Sequence, residues 1–281
     1  MRLAVVIPTP DVAPAPPVAL LSGGFAERLG KASDMGYAGV ELMVMDPAQV
    51  DAAGVRRMIA DAGLEVAAIA SGALTFAAKL TLLHQDASVR RRALDRLRRL
   101  IELAAQAGAP LVTIGSFRGW LRNQPGDGAA YLRSTLQEAC AWAGEHSVRL
   151  VIEPLNRYEA DAVLTAQEGL ALIAQVGSPH LGLLLDTFHL NIEEADPAAA
   201  VRLAAEAGRL WHIHLGDSNR LPPGQGHFHF AAFVQALHQA GYNGYLSAEL
   251  LAKPDADSAA RLTASYMQAV LAASSVSPAL S

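Results

Sequence analysis

Residues 211–230 read WHIHLGDSNRLPPGQGHFHF, and their pattern decides the architecture. Up to Leu215 the segment alternates, so on a β-strand Trp211, Ile213 and Leu215 face one way and His212 and His214 the other. The strand stops at Gly216-Asp217. A loop with Arg220, prolines and glycines follows, and a helix is expected from about Phe230. A polar strand tip that runs into a rigid loop is a common mount for a functional site.

Outward from this stretch the same unit recurs along the whole chain. Strands are expected at Leu3–Ile7, Gly39–Val44, Glu65–Ala70, Leu111–Gly115, Leu150–Glu153, Leu181–Asp186, Leu210–Leu215 and Tyr245–Ala248. Helices are expected at Phe25–Met35, Val55–Ala62, Ser88–Ala107, Ala129–Glu145, Thr165–Ile173, Pro197–Ala207, Phe230–Ala240 and Ser258–Ala272. Several of them close on a glycine. The strands are near-continuous apolar runs, as in parallel sheets buried on both faces. The expected fold is therefore α/β, a single (β/α)8 TIM barrel over residues 1–281, with 274–281 as a loose tail. A length of 281 residues suits it, because such barrels typically take about 250.

Composition narrows the function classes. With 52% hydrophobic and 17% charged residues the chain is globular, and its net charge of −5 argues against nucleic acid as the partner. The densest basic run, Arg90-Arg91-Arg92 with Arg96, Arg98 and Arg99, lies on a helical pattern and reads as a solvated face. The lone Cys140 sits among apolar helical positions and reads as a buried structural thiol. Neither a signal core nor a membrane-spanning run is evident, so a cytoplasmic location is expected.

In such a barrel, chemistry belongs at the C-terminal ends of the strands. Four apolar strands end in ionisable residues: Glu153 after LVI, Asp186 ending LGLLLD, His214 near the end of LWHIHL, and Glu249 after YLSA. Any one of them can be a loop cap. Four on consecutive strands are harder to explain so, because unpaired buried charge costs several kcal/mol. An oxygen-rich set with one imidazole suits Mn²⁺, Mg²⁺ or Co²⁺ better than a structural zinc. Glu159, His189 and Arg220 fall in loops over the same mouth and are candidates for holding substrate oxygens. His212 and Glu41 read as paired interior groups. Arg118, in SFRGW after the fourth strand, reads as a partner for a substrate carboxylate or as a rim salt bridge.

EPLNRYE (153–159), DTFHLNIEE (186–194) and HIHLGDSNR (212–220) with PPGQGHFHF resemble the xylose-isomerase-like TIM-barrel family of sugar isomerases and epimerases. Within it the likeness is greatest to the ketose 3-epimerases, the D-tagatose/D-psicose group, and to 5-keto-L-gluconate epimerases. The resemblance implies one divalent ion held by Glu153, Asp186, His214 and Glu249, with Glu159, His189 and Arg220 on the carbonyl end of a ketose. It also implies that Glu153 and Glu249 are the catalytic pair, one taking the C3 proton and the other returning a proton to the opposite face through an enediolate. The expected substrate is a ketose or a keto-sugar acid such as 5-keto-L-gluconate or D-tagaturonate, and the expected assembly a homodimer or homotetramer. Aldose–ketose or hydroxypyruvate isomerisation is the alternative on the same residues; abasic-site endonuclease activity fits less well. One departure is visible: the family has an Asp opening the helix after the glycine loop, where this chain has His229.

Overall fold

The structure, a computed structural model, describes residues 1–276. Its elements run β1 (Arg2–Pro8), α1 (Phe25–Asp34), β2 (Gly39–Met43), α2 (Ala52–Asp61), β3 (Glu65–Ala70), α3 (Gly72–Phe76), α4 (Ala87–Ala107), β4 (Leu111–Ile114), α5 (Gly128–Glu145) and β5 (Arg149–Ile152). They continue with α6 (Ala166–Val176), β6 (Leu181–Asp186), α7 (Thr187–Glu193), α8 (Pro197–Glu206), β7 (Leu210–Leu215), α9 (Phe230–Gln239), β8 (Tyr245–Ala248) and α10 (Ala256–Val276). The strands form a closed parallel barrel in chain order, sealed where Arg2 to Val5 of β1 pair with Tyr245 to Ala248 of β8. This is the expected (β/α)8 barrel.

Burial follows the apolar runs. Every residue of β2, β4, β6 and β8 is buried, so each strand has one face on the barrel interior and the other under helices. Helix α4 shows how the outer layer is attached: Leu97, Leu100, Ile101 and Ala104 are buried, while Arg91, Arg92 and Arg99 stay exposed. Arg91, Arg92 and Arg99 thus form a solvated face, whereas Arg90, Arg96 and Arg98 are half-buried and bonded to the His84 carbonyl, Asp46 and Glu138. Asp51, Asp86, Asp127 and Asp196 cap α2, α4, α5 and α8 with side-chain acceptors for backbone N–H groups, each worth about 1 kcal/mol. At α9 the capping position holds His229, which makes no such bond. Cys140 is fully buried in α5, and burial pushes its thiol up to about 11. No helix among the described residues is long and apolar enough to cross a membrane.

Two differences from the sequence reading concern short or terminal elements. The five-residue α3 and seven-residue α7 sit directly after β3 and β6, too brief to show a helical period. Helix α10 continues through Ser274 to Val276, where a loose tail was expected; residues 277–281 lie outside the described residues.

At the end of the barrel away from the site, the guanidinium carbons of Arg149 and Arg209 lie 4.8 and 5.7 Å from the centroid of the Trp211 ring. The ring also covers Gly182 of β6, and a Cβ there would overlap it. Gly182→Ala should therefore cost about 1–3 kcal/mol in urea unfolding while leaving divalent-ion binding unchanged. Unaltered stability would mean that Trp211 swings away freely.

Candidate metal centre

Because β5, β6, β7 and β8 are adjacent in the barrel wall, the residues at their ends converge. Glu153, Asp186, His214 and Glu249 each offer a ligand atom, and these atoms all lie within 4.8 Å of one another. His214 Nδ1 is 3.3 Å from Glu249 Oε2 and 3.6 Å from Glu153 Oε1. Three carboxylates thus share one small volume. Asp186 Oδ1 accepts the backbone N–H of Phe188 at 2.8 Å, which fixes that carboxylate at the start of α7.

The atoms that face inward are those with no hydrogen-bond partner: Glu153 Oε1, Asp186 Oδ2, His214 Nδ1 and, beside them, His189 Nε2. Buried acceptors left unsatisfied cost about 1–3 kcal/mol each, more when charged. Burial raises the Asp186 carboxyl to about 7, with the nearby Glu153 charge adding to it, and burial likewise raises Glu153. At Glu249 burial acts the same way but is outweighed by His214 and Arg220, so its carboxyl is held low. A divalent cation would satisfy Glu153 Oε1, Asp186 Oδ2 and His214 Nδ1 at once. Hard oxygen donors and one imidazole fit such an ion.

Behind the cluster lies a second buried layer. His214 Nε2 is 3.1 Å from both carboxylate oxygens of Glu41, and His212 Nε2 is 2.8 Å from Glu41 Oε2. All three residues are at most 1% exposed. His212 is thus a hydrogen-bonded interior histidine and Glu41 a paired interior acid, each as expected, and the structure makes them partners; Glu41 also holds the His214 ring so that Nδ1 faces the cluster. A carboxylate behind a ligating histidine is the usual way to orient it.

Glu159, His189 and Arg220 all line the mouth. Arg220 Nη1 is 3.1 Å from Glu159 Oε1, and its Nη2 is 3.5 Å from Glu249 Oε2. The backbone of Arg220 is left-handed (φ 61°), a conformation that needs outside support. Support comes from Asp217, whose carbonyl accepts the Arg220 N–H and whose buried carboxylate accepts the N–H groups of Ser218, Gly224 and Phe228 at 2.7 to 3.0 Å. Asp217 is a functional residue not among the candidates read from sequence, although an Asp before a glycine-rich loop is a signal for this kind of anchor. His189 is buried at 2% exposure, and desolvation, aided by Arg220 and Arg118, depresses its basicity, so its ring is neutral.

Arg118 corrects an expectation. The residue is 1% exposed, is not among those lining the mouth and forms no ion pair with a carboxylate among the described residues. Nη1 donates to the carbonyls of Gly115 (3.1 Å) and Glu153 (2.7 Å), and Nη2 to those of Ala162 (2.9 Å) and Val163 (3.2 Å). Five fixed donors on a planar fork match a ring of carbonyls, so Arg118 ties the end of β4 to the loop after β5. It holds the left-handed Val163 (φ 57°) and the backbone of Glu153.

The mouth opens into a cavity of about 610 Å³. Its floor is Glu153, His189, His214 and Glu249, and its outer wall is apolar: Pro14, Ala15, Pro16, Pro17, Val18, Phe76, Leu155 and Leu251. Among the described residues that line it, Arg220 is the sole Arg or Lys.

The chain is similar to known proteins. The Xylose isomerase-like TIM barrel model matches residues 29–270. The chain belongs to this family. It is 35% identical over 224 residues to an L-ribulose 3-epimerase of Mesorhizobium japonicum, covering 79% of this chain and 73% of that protein. It is 30% identical to a ketose 3-epimerase of Arthrobacter globiformis, over 79% of this chain and 75% of the relative. A solved structure of L-ribulose 3-epimerase superposes with a TM-score of 0.82 at 28% identity, covering 100% of this chain and 99% of that one. Proteins so named are isomerases, and this member of the family is an enzyme of the isomerase class.

The raised Asp186 carboxyl predicts a pH dependence for the metal-stripped protein. Its ordinary value is 3.8 and its folded value about 7, so between these the folded chain binds more protons than the unfolded one. Stability is then full at low pH within that window and falls as pH rises through about 7. The urea midpoint measured in EDTA should drop from about pH 5 to about pH 8, and Asp186→Asn should flatten the slope. Added Mn²⁺ should stabilise more at the higher pH. A midpoint that rises with pH in EDTA would show that these carboxylates are already compensated.

Proposed function

We propose that the protein is a divalent-metal-dependent ketose 3-epimerase, acting on a neutral ketose. The observation that carries the reading is the pair Glu153 and Glu249, set on strands three apart in the eight-membered ring, with the unsatisfied acceptor set between them. The 3-epimerase relatives support it. Glu153, Asp186, His214 and Glu249 would hold the ion, which when bound would polarise the ketose carbonyl and make the neighbouring C3–H more acidic.

The protein's own groups supply the rest. With the sugar seated over the cluster, one glutamate removes the C3 proton from one face and the other delivers a proton to the opposite face of the enediolate, inverting the carbon. Glu159, His189 and Arg220 hold the oxygens at the carbonyl end, and His214 with Arg220 keeps the Glu249 carboxyl low. The wall from Pro14 to Val18, with Phe76, gives the sugar an apolar side to lie against.

Charge balance favours a neutral sugar over a keto-sugar acid. Arg118, the cation that motivated an acid substrate, is committed to backbone carbonyls, and Arg220 is shared between Glu159 and Glu249. A substrate carboxylate would add negative charge to a mouth with no spare cation among the described lining residues.

Two outcomes test this. Glu153→Gln and Glu249→Gln should each slow exchange of the C3 hydrogen with solvent deuterium, followed by NMR, by about a hundredfold or more. Persistent exchange in both variants would end the two-base assignment. In the wild-type protein with Mn²⁺, kcat/KM for L-ribulose, D-psicose or D-fructose should exceed that for D-tagaturonate and 5-keto-L-gluconate by about tenfold or more, the effect of roughly 1.4 kcal/mol. The reverse order would require a carboxylate subsite that these residues do not form.

A further inference from the structure

The loop after β5 carries Asn156, three residues past Glu153 and 1% exposed, a side chain for which the mechanism has no use. A buried primary amide has two donor hydrogens and one acceptor oxygen, and its partners decide which end is which. Here the Oδ1 end accepts the backbone N–H of Tyr158 at 3.0 Å. The other end lies 3.0 Å from Glu159 Oε1. Turning the amide over would set oxygen against carboxylate and N–H against N–H, so Nδ2 is the nitrogen that faces Glu159.

That nitrogen also lies 2.8 Å from His189 Nδ1, and the backbone N–H of Asn156 points at the same atom from 3.3 Å. Two donors converge on Nδ1. It can only offer them its lone pair, so the hydrogen of the neutral imidazole must sit on Nε2. Nε2 in turn has no hydrogen-bond partner and stands 3.9 Å from both Glu153 Oε1 and Asp186 Oδ2, facing the centre of the site.

We propose that Asn156 sets the tautomer of His189 and thereby makes Nε2–H a fixed donor to a substrate oxygen. Asn156 is a positioning residue that touches no substrate. The other tautomer would present a lone pair to the sugar and repel a carbonyl or enediolate oxygen; this tautomer donates to it, most strongly as negative charge develops there. The identity of that oxygen rests on the ketose-epimerase reading, whereas the tautomer does not.

The test is a long-range ¹⁵N–¹H NMR correlation of the histidine rings in the Mg²⁺-supplemented protein, with His189 assigned from the signal lost in His189→Gln. The wild type should show His189 Nδ1 unprotonated and Nε2 protonated. In Asn156→Asp the carboxylate accepts where the amide donated, so Nδ1 should become protonated, and kcat should fall by about a hundredfold with KM of the same order, the loss expected for one donor to a developing oxyanion. Asn156→Ala keeps the backbone donor alone, and its His189 should show a measurable fraction of the Nδ1–H form. Should Asn156→Asp fail to fold by circular dichroism, the wild type and Asn156→Ala still decide.

A wild-type His189 carrying its hydrogen on Nδ1 would overturn the proposal. So would a tautomer unchanged across the variants. Because the spectrum is read without substrate, a wild-type protein that epimerises no ketose would defeat the epimerase reading alone and leave this result standing.

Discussion

Ionisable groups in the middle of a closed barrel cannot be solvated by water, so each needs a partner fixed by the fold. That constraint organises the mouth of this protein in layers. Glu41 holds His214 from beneath, Asn156 holds His189 from the side, Arg118 holds the backbone that carries Glu153, and Asp217 holds the turn that carries Arg220. The inner layer presents its remaining valences to the cavity. What is left unsatisfied there, Glu153 Oε1, Asp186 Oδ2 and His214 Nδ1 with the N–H groups at His189 Nε2 and Arg220 Nε, describes the ligand the site is built for: a hard cation with an oxygen-rich molecule upon it.

The inner layer was legible in the sequence and the outer one mostly was not, for a physical reason. An apolar run that ends in Glu or Asp is conspicuous, because burying an uncompensated charge at that place is expensive, and so Glu153, Asp186 and Glu249 stood out. The outer partners are set by chain crossings. Glu41 meets His214 across 173 residues of separation, and the Ala162 carbonyl that receives Arg118 lies 44 residues on. Pattern reading could place Arg118 at the mouth, but the direction of its side chain follows from the carbonyls of a loop whose path has no periodic signal. The short α3 and α7 escaped for the same reason: local turns with fewer than two helical repeats are decided by what they pack against.

Backbone strain is distributed in keeping with this layering. Among the described residues, five other than glycine have a left-handed backbone: Leu21, Lys79, Ser147, Val163 and Arg220. All but Ser147 lie in segments between the C-terminal end of a strand and the next long helix, on the side of the barrel that carries the site. Val163 is the most telling, since a β-branched side chain resists this conformation. Its carbonyl accepts both the Leu155 N–H and the Arg118 guanidinium, so two hydrogen bonds oppose the strain. Arg220 is held likewise, its N–H on the Asp217 carbonyl and its own carbonyl on the Leu251 N–H. These turns are costly to form, and they persist because the interactions around them over-determine the path. A loop held in that way can keep a guanidinium or a carboxylate in one position through a reaction in which charge moves from one face of the substrate to the other, without the reorganisation that water or a mobile side chain would require.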